Sequence, residues 1–126
     1  MLIRDINIIK FNAIDIETKD YVDYNEWLNE NGLKHSLESV SKFFDEFFGY
    51  SLVQFSGHKD IKDKEIFELN KLKFTIKDEV SYGTVVVKKT DFCVQIEKGA
   101  CQEFNILPLS YLLETVKAKV EILENF

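Results

Sequence analysis

A chain of 126 residues with 45% apolar and 13% aromatic side chains is too hydrophobic for intrinsic disorder, and long enough to bury a core without a disulfide or metal staple. Its formal charge of −6, with Arg4 the one arginine, disfavours phosphate backbones and anionic membrane surfaces, so neither nucleic acid nor a membrane is expected as a partner. The first fifty residues hold ten acids against five bases, a net of −5, whereas residues 51–126 hold twelve against eleven, so the field belongs to the N-terminal part.

From the N-terminus, Met1–Phe11 reads as a buried strand whose apolar parity switches at Ile8-Ile9, and Ala13–Thr18 alternates again through Ile14 and Ile16 as a second short strand. Asp23 then opens a short helix. Glu26 stands where a capping box needs an acid, Val22 and Trp27 stand where a hydrophobic staple falls, and Gly32 closes the segment. The clearest amphipathic helix follows at Ser36–Gly49. Leu37, Val40, Phe43, Phe44, Phe47 and Phe48 recur at helical spacing against a polar face, with Ser36 as N-cap and Gly49 beyond the C-terminus.

After Tyr50 the pattern becomes that of strands. Tyr50–Phe55 is apolar, and Gly57-His58-Lys59-Asp60 reads as a polar loop. A strand begins near Ile66, Lys71–Lys77 alternates strictly, Asp78–Gly83 supplies a turn, and Thr84–Lys88 and Phe92–Glu97 are further strands around a turn at Lys89-Thr90-Asp91. A loop of Glu97-Lys98-Gly99 would pair Phe92–Glu97 with Ala100–Ile106 as a hairpin. Pro108 suits the first turn of a last helix, in which Leu109, Leu112, Leu113, Val116, Val120 and Leu123 form a stripe. All five glycines fall at these expected junctions.

The expected architecture is α+β: one domain over residues 1–126, with a mainly antiparallel sheet of about five to seven strands. Two longer helices (about 36–48 and 108–124) and one short helix (about 23–31) pack on one face.

In the expected hairpin Cys93 and Cys101 are diagonal neighbours, too far apart for a comfortable disulfide, which predicts two free thiols. No C-x-x-C accompanies them and there are only two histidines, so no metal or cofactor is expected. His58, Lys59 and Asp60 together could serve acid–base chemistry, but adjacency within one loop more commonly marks a solvated turn. No G-x-S-x-G, phosphate-binding loop, dinucleotide fingerprint or H-E-x-x-H occurs, and the reading leans away from an enzyme.

The densest feature is acidic and aromatic. Asp15, Glu17, Asp20, Asp23, Glu26 and Glu30 face Lys19 alone, without the spacing of a calcium loop, and Tyr21, Tyr24, Trp27 and Leu28 are interleaved with them. Aromatic anchors within an acidic rim have the composition of a protein-binding hot spot, which makes Asp20, Tyr21, Asp23, Tyr24, Glu26, Trp27 and Glu30 the candidate partner-binding residues. The bland counterpart is a buried Trp27 with a solvated acidic face favouring the helix start.

The expected function is a small acidic module that binds a basic partner protein, of the inhibitor or immunity kind found in bacteria and phages. No apolar run reaches the roughly 18 residues of a spanning helix and no signal peptide is seen, so a cytoplasmic location is expected. Two alternatives come from other classes. One is a small-molecule-binding or enzymatic domain with a phenylalanine-lined apolar pocket between curved sheet and helix. The other is a structural subunit that self-associates through an apolar face or a strand edge, the oligomeric state being unspecified by the sequence.

Overall fold

The structure, a computed structural model, describes residues 10–89 and 91–124. The expected strand Met1–Phe11 lies almost wholly outside the described residues, as does Thr90 of the expected turn. The fold is α+β with two antiparallel sheets of four and five strands. The chain divides into two compact units, one up to Gln54 and the other from Phe55.

In the first unit, strand β1 (Phe11–Ile14) pairs antiparallel with the two-residue β2 (Tyr21–Val22) on one side. On the other it pairs with the beginning of β3 (Ser51–Lys59), with Ala13 opposite Val22 and Leu52. The alternation through Ile16 does not extend the strand. Asp15 turns the chain instead, its carboxylate accepting the backbone N–H groups of Glu17 and Thr18 at 3.0 and 3.3 Å, with Lys19 left-handed at φ 63°.

Helix α1 (Tyr24–Glu30) starts where its N-cap predicts, the Asp23 carboxylate accepting from Glu26 N–H at 3.1 Å. Helix α2 (Leu37–Glu46) begins with a reciprocal box in which Ser36 and Ser39 cap one another's backbone N–H groups. The two helices and β1 bury Ala13, Tyr24, Trp27, Leu28 and Phe43, with Val22, Phe44 and Phe47 packed around them. Val22 and Trp27 therefore share one core, as a staple requires.

In the second unit the later part of β3 pairs with β4 (Glu65–Phe67), Phe55 opposite Phe67. Strand β3 runs through Gly57, in place of the expected loop, and the register shifts between Phe55 and Lys59. A five-stranded sheet follows, built from β5 (Lys71–Ile76), β6 (Glu79–Lys88), β7 (Asp91–Gly99), β8 (Ile106–Pro108) and β9 (Lys119–Glu124). Their spatial order is β8-β7-β6-β5-β9. One face of this sheet buries Leu72, Phe74, Val85, Val94, Ile96 and Val120 together with Leu109, Leu112 and Ala118.

Three expectations are corrected here. No helix spans 108–124. Pro108 ends the edge strand β8, Tyr111–Thr115 makes one π-helical turn, and Lys117 turns left-handed at φ 52° before β9 starts. The apolar residues of this tail satisfy both periods, and pairing with β5, which sets Val120 opposite Phe74 and Ile122 opposite Leu72, decides for strand.

The turn expected at Asp78–Gly83 is a two-residue hairpin loop, Lys77-Asp78, with both residues left-handed, joining Ile76 to Glu79. Gly83 lies inside β6, where an added Cβ would come within 2.5 Å of Val94 Cγ1 and 2.6 Å of the Gln95 carbonyl oxygen. The expected Glu97-Lys98-Gly99 loop does not form either. Strand β7 continues to Gly99, which pairs with Ser81, and after a 3-10 turn at Gln102–Phe104 the chain returns as β8, with Pro108 opposite Cys93. Glycine signalled a turn in the sequence; here it permits close backbone approach.

Candidate functional site

The expected partner-binding residues divide by burial. Tyr24 is fully buried and Trp27 is 8% exposed, so neither can fill a pocket on another protein; this corrects their assignment as anchors. The Tyr24 hydroxyl meets His35 Nδ1 at 2.9 Å, and the Trp27 indole N–H donates to Glu46 Oε2 at 3.1 Å. The Phe43 ring meets both edge-on, with centroids 5.2 and 5.0 Å away. These contacts make the two residues the interior of the first unit. Phe43 also packs ring against ring with Phe44 and Phe47.

Asp23 is committed to capping α1. Asp20, Tyr21, Glu26 and Glu30 remain exposed, Tyr21 at 51%. The β1–β2 turn brings Ile16, 60% exposed, into the same segment, between Asp15 and Asp20. The Asp15 backbone N–H donates to the Asp20 carbonyl at 2.9 Å, which closes the turn and fixes the two carboxylates on one hairpin end.

Tyr50, next to β3, reports their field: desolvation raises its phenol above the ordinary value, and the charges of Asp20 and Asp15 raise it further. Tyr50 and Ile16 were absent from the expected set. A hairpin bend and a register of Ile14 opposite Ser51 place them there, and neither can be read from local spacing.

In the second unit the expected loop 57–60 is largely strand. His58 and Lys59 lie within β3, whereas Asp60 is a buried carboxylate engaged by the backbone N–H groups of Lys62, Lys64 and Ile122. Both cysteines carry free thiols. Cys93 faces Pro108 across the ladder, and burial, then the charge of Asp91, pushes its thiol up, which suppresses the reactive thiolate.

One polar cluster was not anticipated. Lys71 Nζ donates to Thr84 Oγ1 at 2.7 Å and approaches Glu97 Oε1 at 3.3 Å, while Thr84 and Glu97 are themselves hydrogen-bonded. The Thr84 hydroxyl, then Lys71, hold the Glu97 carboxyl below its usual range. The cluster joins three adjacent strands through cross-strand pairing and a register shift beside Gly83, and its charges satisfy one another.

Among the described residues no group of three or more His, Cys, Asp or Glu side chains could hold a metal ion, and no helix is long and apolar enough to cross a membrane. Compared with known proteins, the chain matches no family model and no curated protein.

Proposed function

We propose that this protein is a binding module whose first unit engages a basic partner protein through the surface formed by the β1–β2 turn and the exposed side of α1. The observation that carries this reading is the segregation of charge with structure. The first unit holds ten acids against five bases, the second twelve against eleven, and Asp20, Glu26 and Glu30 are exposed, as are Ile16 and Tyr21. Exposed carboxylates raise the encounter rate with a cationic surface, and the apolar and phenolic side chains supply area that is removed from water on contact. Tyr21, with two rotatable side-chain bonds, is suited to that role. A module that covers a basic active surface in this way would act as an inhibitor or immunity-type protein.

The test is capture of basic proteins on the immobilised chain at low and high salt, with the triple variant Asp20→Lys, Glu26→Lys, Glu30→Lys as control. The reading expects a stoichiometric basic partner whose association slows in salt and in the triple variant, while the circular dichroism of the variant matches wild type. A partner bound equally well by the triple variant would remove this surface from the reading.

A further inference from the structure

The buried carboxylate of Asp60 belongs to no part of the proposed binding surface, and its partners define a separate device. The turn 60–64 leaves β3 and closes on itself, Asp60 N–H donating to the Lys64 carbonyl at 2.8 Å and Asp63 N–H to the Asp60 carbonyl at 3.0 Å. Within it Asp60 Oδ1 accepts the backbone N–H groups of Lys62 and Lys64, both at 2.9 Å. Its other oxygen reaches outside the turn: Oδ2 accepts Ile122 N–H at 3.0 Å. Two contacts flank that bond. Ile61 N–H donates to the Val120 carbonyl at 2.9 Å, and Lys62 Nζ pairs with Glu121 at 2.8 Å.

Val120 and Ile122 belong to β9, the outermost strand on its side of the five-stranded sheet. The Val120 carbonyl and the Ile122 N–H point away from β5, and the turn receives both. It therefore occupies the positions that the backbone of a further strand would take. An open edge of this kind is a template for pairing with another chain, and covering it is one of the ways proteins keep such edges monomeric. The Asp60 carboxylate is bonded at once to the inside of the turn and to the strand beneath it.

We propose that residues 60–64 form a clip that guards the β9 edge, that Asp60 is its latch, and that release of the latch opens this edge to a second copy of the chain. The β9 sequence selects the second copy and its register. Antiparallel pairing of β9 with β9 centred on Val120 sets Lys119 opposite Glu121 of the second copy, and by symmetry Glu121 opposite Lys119, giving two complementary cross-strand pairs. Val120 then exchanges both main-chain hydrogen bonds with its counterpart, and Ile122 N–H points at the Ala118 carbonyl of the other copy. Centring on Glu121 would set two like charges opposite each other, which disfavours that register.

The Asp60→Asn variant of the full chain tests this. An amide keeps the shape but has one acceptor oxygen, so it cannot serve both the turn and Ile122, and its NH2 group faces an N–H on one side. Residue-resolved amide exchange should quicken at Ile61 and Ile122 by roughly tenfold or more, the usual effect of losing a charged hydrogen bond. Light scattering should show a concentration-dependent dimer that adding Glu121→Lys returns to monomer.

Unchanged protection of Ile122 in a folded variant overturns the latch. A monomer at all concentrations overturns the edge pairing, and a dimer that survives Glu121→Lys overturns the register. If Asp60→Asn does not fold, wild-type exchange in low denaturant decides. Ile61 and Ile122 should open together, with a smaller denaturant dependence than Leu72 and Phe74. Exchange of all four through the global transition overturns the proposal.

Discussion

Trp27 and Glu46 are joined by a hydrogen bond of 3.1 Å from the indole N–H to Oε2, which ties α1 to the last residue of α2. An acidic side chain thus serves the aromatic interior of the first unit. The pairing also separates the aromatic residues of residues 20–30 into core and surface. Trp27→Ala should destabilise the protein by about 3–5 kcal/mol, the usual cost of deleting a large buried ring. Tyr21→Ala should change stability by about 0.5 kcal/mol or less, as exposed substitutions do. Urea unfolding followed by far-UV circular dichroism distinguishes the two, and a small effect at Trp27 would contradict its burial.

Acid stability should depend on Asp60. Burial raises its carboxyl, but the N–H groups of Ile122, Lys64 and Lys62 and the charge of Lys64 outweigh this and hold it below the ordinary value. A carboxyl that is more acidic when folded contributes stability above its unfolded value, near pH ~4, and loses it as pH falls through the folded value. Glu97 and Glu121, also lowered, act in the same direction. Denaturant midpoints measured from pH 7 to pH 2 should fall in the acid range for wild type and fall less for Asp60→Asn, which is already destabilised at pH 7. Parallel curves would contradict the assignment.

Gly83→Ala places a methyl group within 2.6 Å of both Val94 Cγ1 and the Gln95 carbonyl oxygen, in the middle of the β6–β7 ladder. Relief requires the two strands to move apart, and the expected cost is about 1–3 kcal/mol. A thermal melt showing no loss would mean that the strands lie farther apart than this.

The two thiols should differ in reactivity. Cys93 is buried with its thiol pushed up, whereas Cys101 is partly exposed beyond the end of β7. A disulfide reagent added to native protein should therefore modify Cys101 first, with Cys93 following at the rate of opening. Mass spectrometry of digests taken over time reads the order, and faster modification of Cys93 would contradict it.

Much of the first unit was legible residue by residue. Asp23 and Ser36 write their caps within three positions, and Phe43 is buried as its helical spacing expects, whereas Leu37 and Phe48 of the same stripe are 91% exposed. The acidic character of the candidate surface was equally legible, because charge is a property of composition. The roles of Tyr24 and Trp27 were not. An amphipathic aromatic beside carboxylates has the same local signature in a core as in a hot spot, and Phe43, more than a dozen positions away, decides between them.

In the second unit the sequence by itself determined the strict alternation of β5. Only the tertiary structure decided that 119–124 is a strand, that Lys77-Asp78 is the hairpin loop, and that Asp60 faces β9. The reason is physical. Val120 and Ile122 gain their partners from β5, nearly fifty residues earlier in the chain, and Asp60 is bonded to Ile122 across 62 positions. Local propensity leaves helix and strand nearly balanced in such a segment, so long-range hydrogen bonding and burial settle the outcome.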